Sequence, residues 1–129
     1  MQNPLNEHLW KERVLIITAS SPTNVGYRKQ NQALEKGKKG IKERELVVYR
    51  LYADHWYDPD QQPLTENQAN EIHDAYDIDR GTFSVVLIGK DGTVKMRKQD
   101  VVSTRDIFQL IDGMPMRRQE MRLENMDEQ

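Results

Sequence analysis

The sequence predicts a mixed α/β domain, a four-stranded sheet with helices on both faces in a three-layer α/β/α arrangement. Three observations carry that expectation. The runs "RVLIITA" (Arg13 to Ala19) and "FSVVLIG" (Phe83 to Gly89) are continuously apolar and β-branched, as strands buried on both faces are. Stretches with helical periodicity separate the strand-like runs. Finally, Asp91-Gly92 stands between the last two runs, a strong signal for an antiparallel hairpin.

Each element has its own justification. "ELVVYRLY" (Glu45 to Tyr52) resembles the two apolar runs but is more polar, so it is expected nearer a sheet edge. "TVKMRK" (Thr93 to Lys98) alternates apolar and polar residues and suits an exposed edge strand. A type I′ turn at Asp91-Gly92 would join it to the preceding strand. The first helix is expected to follow Ser21 as N-cap, with Pro22 at the first helical position. Tyr27, Leu34 and Ile41 recur at sevens on one face, and Gly37 and Gly40 leave its end open between Lys36 and Glu43. Thr65 and Gln68 form a capping box ahead of a stripe of Ala69, Ile72 and Tyr76. Ser103 with Asp106 marks a third helix, with Val102 stapling onto Ile107. Its expected buried face is Ile107, Leu110, Ile111 and Met114, and Gly113 and Pro115 end it.

The order is β-α-β-α-β-β-α, that of the thioredoxin and glutaredoxin class, with a parallel right-handed first crossover and a closing hairpin. A chain of 129 residues is a single domain on length, with a core of about residues 12–113 and a tail over 114–129.

Composition removes several function classes. With no cysteine, the chain supplies no thiol, disulfide, Cys-zinc site or iron–sulfur ligand. Its 19 Lys and Arg against 21 Asp and Glu speak against a nucleic-acid or anionic-membrane surface. The basic run "KGKKGIKER" has no aromatic residues for base stacking and reads as a solvated helix end. No apolar run approaches the roughly 20 residues needed to cross a bilayer. "MQNPLNEHLWKER" lacks the apolar centre of a signal peptide, although an exported chain with its signal already removed would start in the same way. The expected location is therefore periplasmic or secreted after signal removal, and otherwise cytoplasmic.

Candidate chemistry centres on "TASSPTN", Thr18 to Asn24, where the first strand runs into a helix. The hydroxyls of Ser20, Ser21 and Thr23, beside Asn24, suit an anion such as phosphate or carboxylate at a helix N-terminus. The alternative is that Ser21 and Thr23 cap the helix. A serine nucleophile lacks its G-x-S-x-G elbow here. His8, His55 and His73 show no metal-binding spacing, and partly packed or exposed histidines are expected. "DIDRG" (Asp77 to Gly81) lacks the closing glutamate of a calcium loop and reads as a helix exit. No cofactor is called for. The long connection from Asp54 to Glu66 carries Trp56 and Tyr57, either an exposed partner contact or a lid over the sheet edge. The tail from Met114 to Met126 is expected to be a partly docked helix, or a protein-binding segment using adaptable methionines.

"WKERVLIITASSP", "GTFSVVLIGKDGTVK" and "LIDGMPMRRQEMR" resemble, in this order, three blocks of a thioredoxin-like domain family of unknown function. That family occurs as single-domain bacterial proteins and within animal sushi-repeat-containing and coiled-coil-domain matrix proteins. The match runs from about Pro4 to Arg122. It implies a thioredoxin-like or peroxiredoxin-like fold and no established activity. Thioredoxins carry two active-site cysteines and a cis-proline before the third strand, whereas "GTFS" has no proline and other residues fill both cysteine positions. The matched Arg117 and Arg118 suit either a carboxylate-bearing partner or the domain's own Glu120 and Asp112.

The resulting expectation is a non-redox module that binds a protein or small ligand, without nucleic acid or membrane insertion. Its surface would use Ser20, Ser21, Thr23, Asn24, Trp56, Tyr57, Arg117 and Arg118. The alternatives are a hydroxyl- or anion-dependent enzyme at the first strand–helix junction, or an accessory to a partner thiol oxidoreductase.

Overall fold

The computed structural model describes residues 3–127. A 3-10 turn at Pro4–His8 leads into strand β1 (Arg13–Thr18), and helices α1 (Val25–Lys36) and α2 (Lys38–Glu43) follow it. Then come β2 (Leu46–Leu51), β3 (Trp56–Tyr57), α3 (Glu66–Tyr76), β4 (Ser84–Ile88), β5 (Val94–Lys98), α4 (Thr104–Asp112) and α5 (Pro115–Asp127). The sheet order is β3-β2-β1-β4-β5, with β1 and β2 parallel and the other neighbours antiparallel.

The mixed three-layer α/β architecture is the one expected. It gains a fifth strand, because Leu51 and Arg50 pair with Trp56 and Tyr57. A two-residue strand has too little pattern to announce itself in a sequence.

The continuous apolar runs are explained by burial on both faces. Leu15 and Ile17 of β1 join Val85 and Leu87 of β4 beneath α1 and α4. Val14 and Ile16 join Tyr49, Leu51, Val86 and Ile88 beneath α3, which contributes Ile72 and Tyr76. Strand side chains alternate faces, so one run serves two cores. The edge strand β5 is largely exposed, with Met96 half-buried.

Several boundaries differ from expectation. Asn24, not Ser21, caps α1, because its Oδ1 accepts from the Tyr27 N–H at 2.9 Å. Pro22 therefore lies in the loop before the helix. The first helix stops at Lys36, and α2 continues after a break at Gly37. There the helices crowd together, and a Cβ at Gly40 would lie 2.6 Å from Phe108 Cε2. Asp91 does not adopt positive φ, so the hairpin is not type I′. Gly92 takes φ 82° alone, its N–H bonds the Gly89 carbonyl, and the register slips between Leu87 and Ile88. This is a turn closed by a glycine bulge.

The Thr65–Gln68 capping box forms in both directions, and Ser103 accepts from the Asp106 N–H. On α4, however, Leu110 is 38% exposed while Ile107 and Ile111 are fully buried. Pro115, expected as a stop, opens α5.

Asn24→Ala is expected to cost about 1 kcal/mol through the lost cap. Ser21→Ala should change stability by less than about 0.5 kcal/mol. Urea unfolding of the two variants separates these caps, and the reverse ranking would place the cap at Ser21.

Candidate functional site

The two ends of β1 carry different chemistry. At its C-terminal end lies the Thr18–Asn24 junction. Thr18 is buried and donates through its hydroxyl to the Thr82 carbonyl at 2.6 Å, with the Ser84 hydroxyl also in reach. Ser21 and Thr23 hydroxyls bond each other at 2.7 Å, and Asn24 is spent on the cap. Ser20 is exposed. Among the described residues no histidine or carboxylate bonds Ser20, Ser21 or Thr23, so none of these hydroxyls has a base beside it. The junction's polar groups are used largely on one another.

Trp56 and Tyr57 are not free aromatics. Pairing in β3 half-buries both, Trp56 against the α3-side core and Tyr57 edge-on to Tyr52 at 6.1 Å between centroids. Two histidines depart from expectation, His8 and His73 being buried, whereas His55 is exposed as expected. His8 bonds the Tyr49 hydroxyl at 2.7 Å and Glu12 at 2.6 Å. The His73 Nδ1 faces the Ile78 carbonyl, and burial holds its pKa below the ordinary value. No group of acids and histidines among the described residues is arranged to hold a metal ion.

The other end of β1 is built from charges. Arg13 is 1% exposed, and its guanidinium grips Glu120 of α5 end-on at 3.2 and 2.9 Å and donates to the Arg44 carbonyl. Lys90, in the β4–β5 turn, donates to the same Glu120 at 2.8 Å and to Glu45 at 3.1 Å. Arg44 forks onto Asp112 at 3.0 and 2.9 Å, and its guanidinium lies 4.1 Å from the centre of the Phe108 ring. Arg117 is buried and donates to Asp112 at 3.3 Å and the Glu43 carbonyl at 3.2 Å. Arg118 is exposed. The cluster ties α5 to the sheet.

Burial raises the Glu120 carboxyl, but hydrogen bonds from Arg13 and Lys90 outweigh it and hold its pKa below the ordinary value. Asp112 is likewise raised by burial and pulled lower by Arg44 and Arg117. A depressed carboxylate stabilises the fold above its unfolded pKa and loses that contribution as pH falls through the folded one. Acid unfolding of the wild type should therefore steepen below pH 4.5, the ordinary glutamate value. In Glu120→Gln that component should be reduced, with lower stability at neutral pH. An unchanged acid-unfolding profile would show that Glu120 carries no such coupling.

Beside this cluster runs a groove of about 650 Å³ between the β4–β5 turn and the α4–α5 corner. Trp10, Leu110, Met114, Pro115 and Met116 supply its apolar lining, and Arg13 and Lys90 reach it from the cluster. Trp10 is 65% exposed and has φ 66°, a conformation that costs a non-glycine residue about 1 kcal/mol or more. Its backbone is held there by the Trp10 N–H donating to the Lys90 carbonyl at 2.8 Å.

The structure thus separates the expected site residues. Ser20 to Asn24 lie at one end of the sheet, Trp56 and Tyr57 at its β2 edge, and Arg117 and Arg118 on α5. Sequence reasoning missed Trp10 and Leu110. The available signal was an aromatic just before the first strand, but its exposure depends on the backbone turn at that residue.

Known proteins agree with this geometry in fold. A reduced 2-Cys peroxiredoxin of Plasmodium vivax superposes with a TM-score of 0.63 at 17% identity, covering 84% of this chain and 80% of that one. Thioredoxin peroxidase I of Plasmodium yoelii gives the same score at 20% identity, over 84% and 75%. These place the chain in the thioredoxin fold. Human sushi repeat-containing protein SRPX2 is 28% identical over 120 residues, covering 91% of this chain and 26% of that protein. Zebrafish (Danio rerio) coiled-coil domain-containing protein 80 is 26% identical over 140 residues, covering 96% and 16%. The chain therefore spans about a quarter or less of the length of these relatives. A model of a domain of unknown function, DUF4174, matches residues 4–120. With nearly the whole chain matched, this protein belongs to the DUF4174 family.

Proposed function

We propose that the domain is a non-redox recognition module that binds a protein partner through the groove at the N-terminal end of β1. The observation that carries this reading is Trp10. Its indole is 65% exposed on a left-handed backbone, beside an apolar groove floored by buried charge. An aromatic anchor next to a preformed apolar depression, with a few placed polar groups, is the usual make-up of a recognition site. The buried Arg13–Glu120–Lys90 cluster holds both walls in register. Domain usage supports the reading, since human SRPX2 matches this chain over only 26% of its length. A recognition unit is often one part of a larger protein.

The reading is tested with a photo-crosslinking side chain placed at Leu110 in one variant and at Thr23 in another, each activated in the native host. Adducts from position 110, identified by mass spectrometry and lost in Trp10→Ala, are the expected result. Adducts concentrated at position 23 would move the site to the strand–helix junction. Hydroperoxide or disulfide turnover by the purified chain would end the non-redox reading.

A further inference from the structure

A second depression, apart from the groove, is lined by charges that have no partners. We infer that the cleft between α1 and the β2–β3 edge binds a small zwitterion, a free amino acid, with its carboxylate on Arg50 and its ammonium on Glu35. This site is independent of the protein-binding groove.

The positive charge interrupts the pattern of β2. Strand side chains alternate faces, so Leu46, Val48, Arg50 and Tyr52 form one row facing α1. Leu46, Val48 and Tyr52 belong to the core on that side, whereas position 50 puts a guanidinium into the row. Arg50 is half-buried and donates to the Asn31 amide oxygen at 3.0 Å, which fixes its position. No carboxylate pairs with it among the described residues. A held guanidinium without a counter-charge suits a carboxylate, which it can grip in a fork.

The negative charge comes from the helix. Tyr27, Asn31 and Glu35 of α1 are spaced by four and share one side of it. Glu35 lines the same cleft of about 380 Å³ as Arg50, yet it pairs neither with Arg50 nor with any other cation among the described residues. Opposite charges thus border one cleft without meeting, and a ligand carrying both signs complements both.

The remaining lining supplies a donor and an aromatic wall. Tyr52 donates to the Tyr27 hydroxyl at 2.7 Å, and burial holds the Tyr52 phenol in its protonated form. The proton of Tyr27, a residue only 7% exposed, is left without an acceptor among the described residues and is available to a ligand oxygen. Tyr57 stands opposite Arg50 in the sheet register and offers its ring to a ligand side chain. Gln61 completes the lining at φ 63°, while the Asp58 carboxylate in the same loop is occupied by the Asp60 and Gln62 amides.

Other ligands match fewer of these groups. A simple anion would satisfy Arg50 but face Glu35 unfavourably. A neutral sugar would suit the tyrosine ring and the amides but leave both charges unanswered. A peptide terminus carries one of the two charges, not both.

The test follows the amide NMR spectrum of the labelled full chain during titration with leucine, phenylalanine, serine, glutamate and lysine. At least one of these is expected to bind saturably, with shifts centred on Tyr27, Asn31, Tyr52 and Gln61. For the tightest of them, the N-acetyl derivative, which lacks the ammonium, and the amide, which lacks the carboxylate, should each bind roughly tenfold or more weaker. Glu35→Gln should abolish the preference over the N-acetyl form while keeping the preference over the amide. Arg50→Gln should do the reverse. This crossed pattern separates ligand contact from a general loss of structure. The same spectra check that each variant is folded, and Trp10→Ala should leave the affinities unchanged.

Absence of binding by all five at millimolar concentration overturns the site, as do shifts centred elsewhere. Derivatives that bind as tightly as the parent overturn the zwitterion. An N-acetyl form that binds more tightly than the parent, with Glu35→Gln strengthening both, would assign the cleft to a simple anion instead.

Discussion

Arg13→Ala is expected to destabilise the domain by about 3–5 kcal/mol, the usual cost of removing one partner from a buried ion pair. Arg13 is 1% exposed and sits at the first position of β1. Its loss leaves the Arg44 carbonyl without a donor and Glu120 with Lys90 and a more distant Arg117, which lies 3.7 Å away. The carboxylate would remain one-fifth exposed and underpaired. Because Glu120 anchors α5, the damage should extend to that helix. Urea unfolding followed by circular dichroism gives the magnitude. Replacing both partners, Arg13→Met with Glu120→Leu, should recover most of the loss, because two apolar groups need no compensating charge and Glu45 still holds Lys90. A loss below about 1 kcal/mol in the single variant would mean that solvent screens the cluster as it does a surface pair.

Ile107→Ala and Leu110→Ala should separate sharply, although both side chains stand on the apolar stripe read from the sequence of α4. Ile107 is fully buried in the core shared with Leu15, Leu87 and Leu34, and truncation there should cost about 2–5 kcal/mol. Leu110 is 38% exposed at the groove, and its truncation should change stability by less than about 0.5 kcal/mol. Thermal or urea unfolding compares them directly. Similar losses at both positions would restore Leu110 to the core and remove a wall of the groove. A large effect of Leu110→Ala on partner binding, with stability intact, is the complementary expectation.

The strands and the helices' buried stripes were legible because they repeat a local rule. Burial on both faces made β1 and β4 continuous in apolar character, and the Thr65–Gln68 box announced α3 within four residues. The missed features depend on contacts distant in sequence. Gln30 reads as an ordinary polar helix residue, yet it is fully buried and brackets the Val102 backbone with two hydrogen bonds across 72 positions. Strand β3 exists because β2 offers an edge, not because Trp56 and Tyr57 carry a pattern. The cap of α1 moved from Ser21 to Asn24 because both residue types can cap, and the path from β1 selects one.

The same division holds for the candidate site. The absence of cysteine ruled out thiol chemistry before any coordinates, and the block "IDGMPMRRQEM" marked Asp112, Arg117 and Glu120, three members of the ionic cluster. Their partners Arg13, Arg44 and Lys90 lie 30 or more positions from the acids they bind. Sequence alone determined what the chain is unable to do and which segments would form strands and helices, since composition and short-range periodicity are properties of the chain itself. Tertiary structure decided where the groove is placed. A groove is made of surfaces from Trp10, the β4–β5 turn and the α4–α5 corner, and only folding brings them within reach of one another.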